Sequence, residues 1–126
     1  MFEKVQTGIA ASKAPVSGTV KAGRLVRSAH IAKIPETGEL VTGSIEEQTR
    51  RVFLNLRQAL EAAGGGLSNV VQVQVYLIDR ADAPGFNAVY REFFKEKFPV
   101  RATVVTDLLS AGIRVEILTT AVVSSR

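Results

Sequence analysis

Cysteine is absent from this chain of 126 residues. Its absence excludes a disulfide framework, a thiol nucleophile and a thiolate-bound metal, and it suits a reducing compartment such as the cytoplasm. Histidine occurs once, at His30. One imidazole cannot supply a helical histidine pair for a metal, and no Ser-His-Asp set is visible for a hydrolase triad. No apolar stretch approaches the roughly 20 residues that span a bilayer. The opening Met1-Phe2-Glu3-Lys4 does not read as a signal peptide. Phosphate-binding glycine loops precede a helix, whereas Gly64-Gly65-Gly66 follows one here. The sequence therefore predicts no metal, no cofactor and no membrane partner.

What is present is the balance of one folded domain over residues 1–126, with 46% hydrophobic and 22% charged residues. The net charge is +4 and the pI about 9.8. Its lysines and arginines are scattered, with no run of five and no interleaved aromatic platform. A small anionic substrate explains this mild excess at least as well as nucleic acid does, and no nucleic-acid partner is expected.

Periodicity predicts two short strands within residues 19–31, turning at Ala22-Gly23, and then a loop at Ile34-Pro35-Glu36-Thr37-Gly38-Glu39. Residues 44–63 carry the clearest helix signal. Ser44 and Glu47 form a capping box, and Ile45, Val52, Leu56, Ala59, Leu60 and Ala63 make an apolar stripe. A strand over 70–77 follows, with Val71, Val73, Val75 and Leu77 on one face and Val70, Gln72, Gln74 and Tyr76 on the other. Asp82 is the predicted N-cap of a second helix, with Pro84 in its first turn. Phe86, Val89, Tyr90, Phe93 and Lys97 share one side, and Phe98-Pro99 ends the helix. Strands over 101–106 and 113–123 close the chain, joined by a linker long enough for a hairpin. The order β-β-β-α-β-α-β-β implies an α+β domain of about six strands in a mixed sheet, two helices covering one face. The other face is left for self-association.

Several segments resemble one known family in a single register. These are Ser28-Ala29-His30-Ile31 with Pro35-Glu36-Thr37-Gly38-Glu39, then Phe86-Asn87-Ala88-Val89-Tyr90-Arg91-Glu92-Phe93-Phe94, then Phe98-Pro99-Val100-Arg101-Ala102-Thr103-Val104 with Val115-Glu116-Ile117. Together they resemble the reactive intermediate deaminase family, the RidA-like proteins, over roughly residues 16–123. The resemblance implies a chorismate-mutase-like α+β fold, a homotrimer with sites between subunits, and no cofactor. It also implies hydrolysis of enamines and imines such as 2-aminoacrylate to 2-keto acids and ammonia. In that reading Arg101 holds the substrate carboxylate, using a planar donor fork, and Glu116 orients or deprotonates the attacking water. Ser28, Thr103, Asn87 and His30 are the remaining substrate-binding candidates. Each has a plainer reading: Ser28 and Thr103 as strand residues, Asn87 as an exposed helix amide, and His30 as a hydrogen-bonding substitute for glutamine.

The chain departs from the pattern in three places. Ala14-Pro15-Val16-Ser17-Gly18-Thr19 stands where archetypal members carry a pocket tyrosine. Arg27 adds a charge beside Ser28-Ala29-His30, and Asp107 replaces a small or basic residue. These differences keep two alternatives open: a non-catalytic trimer that binds a small carboxylate, and a deaminase of a larger, aminomuconate-type acid.

Overall fold

The structure, a computed structural model, describes residues 1–124. Six strands form one sheet: β1 (Glu3–Lys4), β2 (Thr19–Ala22), β3 (Leu25–Ile31), β4 (Val70–Leu77), β5 (Val100–Val105) and β6 (Val115–Val122). Their spatial order is β1-β2-β3-β6-β4-β5. Two helices, α1 (Ile45–Ala62) and α2 (Ala83–Phe93), cover one face. The expected α+β architecture of about six strands, with helices on a single face, is the one observed; the sixth strand, which the sequence did not locate, is β1.

The last two strands are not a hairpin. Here β5 pairs parallel with β4, as a strand must when a crossover helix such as α2 returns it to the sheet. The chain then crosses the end of β4, and β6 inserts antiparallel between β3 and β4. Burial explains the choice. The helix-facing residues of β6 (Val115, Ile117, Thr119 and Ala121) are buried, as a central strand requires, whereas β5 is exposed at every position except the half-buried Arg101.

The α1 stripe is buried as expected, and the sheet supplies Val26, Val73, Val75, Leu77, Val115 and Ile117 beneath it. The strict alternation expected for β4 breaks at its start. An irregularity between Val70 and Gln72 turns Val70 inward and leaves Val71 exposed. The open face presents Gln72, Gln74 and Tyr76 from β4, with Leu25, Leu118, Val122 and Val104 among its exposed apolar residues.

The helices meet at their first turns because Gly85 has no side chain: a Cβ there would lie 2.7 Å from Ile45 Cγ2 and 2.6 Å from Glu46 Oε2. Pro84 sits in the first turn of α2 as expected. Asp82 does not cap with its side chain; both carboxylate oxygens instead accept from Arg114, at 2.7 and 3.0 Å. The helix also ends at Phe93, well before Phe98-Pro99, so Lys97 lies outside it. Phe94 turns extended and buries its ring against Phe53 and Tyr90. Gln48, fully buried on α1, fastens the start of β6: its amide donates to the Gly112 carbonyl and its oxygen accepts from the Arg114 N–H, both at 2.8 Å.

The capping box on α1 is complete. Ser44 Oγ accepts from the Glu47 N–H at 3.1 Å, and Glu47 Oε1 accepts from the Ser44 N–H at 2.9 Å. Replacing Ser44 with Ala will lower stability by about 1 kcal/mol in urea titrations, because an N-terminal N–H loses its acceptor.

Candidate functional site

The first candidate, Arg101, lies near the start of the edge strand β5, opposite Val73 of β4. Partners in register share a face, so its side chain points to the helix side and runs beneath α2. Its guanidinium carbon stands 4.7 Å from the centre of the Tyr90 ring and 5.3 Å from that of Phe86. The cation thus lies over both aromatic faces, which attract it electrostatically. Nη2 donates to Asn87 Oδ1 at 2.8 Å, which fixes the rotation of the fork. Among the described residues no carboxylate pairs with Arg101, so the other N–H groups of the fork remain available to an anion.

A groove of about 240 Å³ opens here, lined by Asn87, Tyr90, Arg91, Phe98, Pro99 and Arg101. Asn87, Tyr90 and Arg91 stand at i, i+3 and i+4 on α2 and so share one face. Phe98 and Pro99, on the way into β5, form the opposite wall. Burial raises the Tyr90 phenol above its ordinary pKa, against a smaller lowering by Arg101, so it remains neutral at physiological pH. Its hydroxyl has no hydrogen-bond partner among the described residues.

Glu116 occupies the other side of the sheet. It lies on β6 opposite Ile31 and Tyr76, on the face that the helices leave bare. It is half-buried, and desolvation raises its pKa above the ordinary carboxylate value. No ion pair to Arg101 or Arg114 forms; Arg114 is engaged by Asp82. Arg101 and Glu116 are thus on opposite faces of one sheet, with β4 between their strands, and a single chain does not bring them to one small molecule. Thr103 shares the Arg101 side, opposite Val75, and is exposed.

Ser28 and His30 are not in the groove. Both point into the helix-covered interior, with 1% and 6% of their surface exposed. Ser28 Oγ lies 2.5 Å from His30 Nε2 and 2.7 Å from Thr19 Oγ1, a closed polar chain inside the sandwich. Burial, with Lys33 nearby, pushes the His30 pKa down to about 3. The imidazole is therefore neutral across the physiological range and hydrogen-bonded in the interior, away from the groove. Sequence reasoning missed Arg91 and the aromatic floor. The signal lay in the helical spacing of Asn87, Tyr90 and Arg91, together with the nearness of Phe98-Pro99 to Arg101.

A one-layer helix cover over a six-stranded mixed sheet defines an α+β class, and the arginine fork at its edge strand is the candidate anion site. Residues 7–123 match the family described as Endoribonuclease L-PSP. A RutC family protein of Pyrococcus horikoshii is 42% identical over 104 residues, 82% of each chain. The human 2-iminobutanoate/2-iminopropanoate deaminase is 36% identical over 104 residues, 82% of this chain and 76% of that one. Among solved structures, RidA from an Antarctic Psychrobacter superposes with a TM-score of 0.89 at 34% identity, over 96% of this chain and 99% of that one. Escherichia coli TdcF with bound serine superposes with a TM-score of 0.88 at 26% identity, over 97% and 99%. The chain belongs to this RidA-like family.

The interior histidine carries a pH prediction. Its folded pKa lies below the unfolded value, so the unfolded chain takes up the proton first as pH falls. Stability is therefore intact above about 6.5 and declines between there and about 3, with a limiting slope near 1.4 kcal/mol per pH unit for one proton. Urea titrations across that range will show a shallower decline in His30→Gln than in the parent chain.

Proposed function

We propose that this protein hydrolyses reactive 2-imino acids and their enamine forms, 2-aminoacrylate among them, to 2-oxo acids and ammonia. The observation that carries this reading is the Arg101 fork, stacked on two aromatic rings, oriented by Asn87 and unpaired by any carboxylate among the described residues. Such a group is pre-set for a small carboxylate. Relatives named for the deamination of 2-iminobutanoate and 2-iminopropanoate support the chemistry, and serine bound to TdcF supports a ligand of that size.

The working form is a homotrimer with sites between copies. The separation of Arg101 and Glu116 on opposite sheet faces supports this, since Glu116 then comes from a neighbouring copy. So does the apolar open face. In the reaction, Arg101 binds the carboxylate of the 2-imino acid. An enamine first takes a proton on C3, moving its double bond to C=N. Water adds to C2 while its proton passes to the Glu116 carboxylate, whose raised pKa makes it the stronger base. The carbinolamine then takes a proton on nitrogen, the C–N bond breaks, ammonia leaves, and loss of the hydroxyl proton gives the ketone. Thr103, exposed beside Arg101, is a further substrate contact. RNA cleavage, which the family description names, has less support here: no histidine pair is available as acid and base, and the one histidine is buried.

Arg101→Ala will reduce acceleration of 2-iminobutanoate hydrolysis about a hundredfold or more, through loss of a charge-assisted contact, and Arg101→Lys will restore little of it. Glu116→Gln will lower turnover yet keep 2-oxobutanoate affinity in calorimetry. A parent chain that binds 2-oxobutanoate through Arg101 but accelerates nothing would be a binder and not a deaminase.

Assembly has its own test. Light scattering will give roughly three times the 13.6 kDa chain mass, and Leu118→Lys, on the open face, will shift it to monomer. A parent chain that remains monomeric at micromolar concentration would remove the shared site.

A further inference from the structure

Arg91 shares the groove with Arg101, and nothing in the proposed hydrolysis uses it. A cation in the last turn of a helix is favoured by the helix dipole, which accounts for a positive charge there. It does not account for a second guanidinium in the same concavity as the first. Arg91 has no salt-bridge partner among the described residues. Asn87 and Ala88 lie one turn before it on α2, and the chain leaves the helix through Phe94 and Lys95, none of them acidic. The adjacent Glu92 is drawn off to α1, where Arg50 holds both of its oxygens at 2.7 and 3.0 Å. As one copy forms it, the groove therefore contains two positive charges and no negative one, with Tyr90 and Phe98 providing apolar walls; the Glu116 that a neighbouring copy would bring is one carboxylate against two guanidiniums.

Arg91 is exposed and Arg101 half-buried; like charges lining one hollow repel each other, the less so for solvent screening, and an anion in contact with both relieves that repulsion. A single carboxylate on Arg101 leaves Arg91 uncompensated. From this we propose that the groove is built for a 2-imino acid bearing a second anionic group, with the 2-carboxylate on Arg101 and the distal carboxylate on Arg91. The inference rests on the deaminase reading for its reaction and on the groove alone for its ligand class. Arg91 is then a specificity-determining residue: it selects diacids without touching the reacting carbon.

The test compares 2-oxoglutarate with 2-oxobutanoate by calorimetry on the parent chain, Arg91→Gln and Arg91→Lys. The readout is the ratio of the two affinities. We expect the parent to favour 2-oxoglutarate by about tenfold or more, as one additional charge-assisted contact provides. The ratio will fall to about one in Arg91→Gln and largely survive in Arg91→Lys, which keeps the charge. Equal affinities in the parent, or a preference that persists in Arg91→Gln, would overturn the inference. Because the ratio is read from binding, it stands apart from turnover. A preserved ratio without imine hydrolysis sinks the deaminase reading and leaves the diacid site. Hydrolysis of 2-iminobutanoate without the ratio does the reverse.

Discussion

Helices cover only one face of the six-stranded sheet, and that asymmetry governs the rest of the molecule. A strand alternates its side chains between faces, so each strand of this sheet places half its residues against a packed interior and half against an open surface. Arg101 and Glu116 fall on different sides of that division. The same open surface carries exposed Leu25, Leu118 and Val122, a grouping that water penalises and a second copy would cover. Assembly and chemistry are thereby coupled in the proposed function: the contact that hides the apolar face is also the one able to bring a carboxylate to the arginine.

The groove depends on the β4-α2-β5 crossover. A parallel partner for β4 requires the chain to pass over the sheet as a helix, and this places α2 above the start of β5. The rings of Phe86 and Tyr90 on that helix then lie against the Arg101 guanidinium, while Asn87 accepts one of its N–H groups. Gly85 matters at a distance. By letting α2 approach α1 closely, it fixes the depth at which the aromatic floor sits. An arginine at the same register on an unsupported edge strand would sweep many rotamers and lose that order on binding.

Local signals were the most legible part of the sequence. Ser44 and Glu47 announce the start of α1 because a capping box is a contact between near neighbours. Pairing was less legible. The linker after β5 permits a hairpin, and only the buried character of β6 against the exposure of β5 assigns β6 to the centre. The irregularity at Val70 could not be anticipated from alternation alone, since it depends on how β4 meets β6. For the site, the resemblance directed attention to Arg101, and the structure adds Asn87 as its anchor. Ser28 and His30 face the interior because the alternation along β3, set by Val26, carries both of them inward.

Two titratable residues on the strands, His30 and Glu116, illustrate how burial sorts such groups. Desolvation acts on both and penalises the charged form of each. It lowers the pKa of His30 and raises that of Glu116. The outcomes differ because the two residues differ in access. His30 is enclosed, only 6% exposed and hydrogen-bonded to Ser28, so its neutral imidazole serves packing. Glu116 keeps part of its surface open on the face that another copy would cover. Further burial there would raise its pKa again, while a cationic iminium brought against it would act the other way, favouring the carboxylate. In the proposed hydrolysis the arriving iminium thus weakens Glu116 as a base but holds it in the ionised form, the form able to accept a proton from the attacking water.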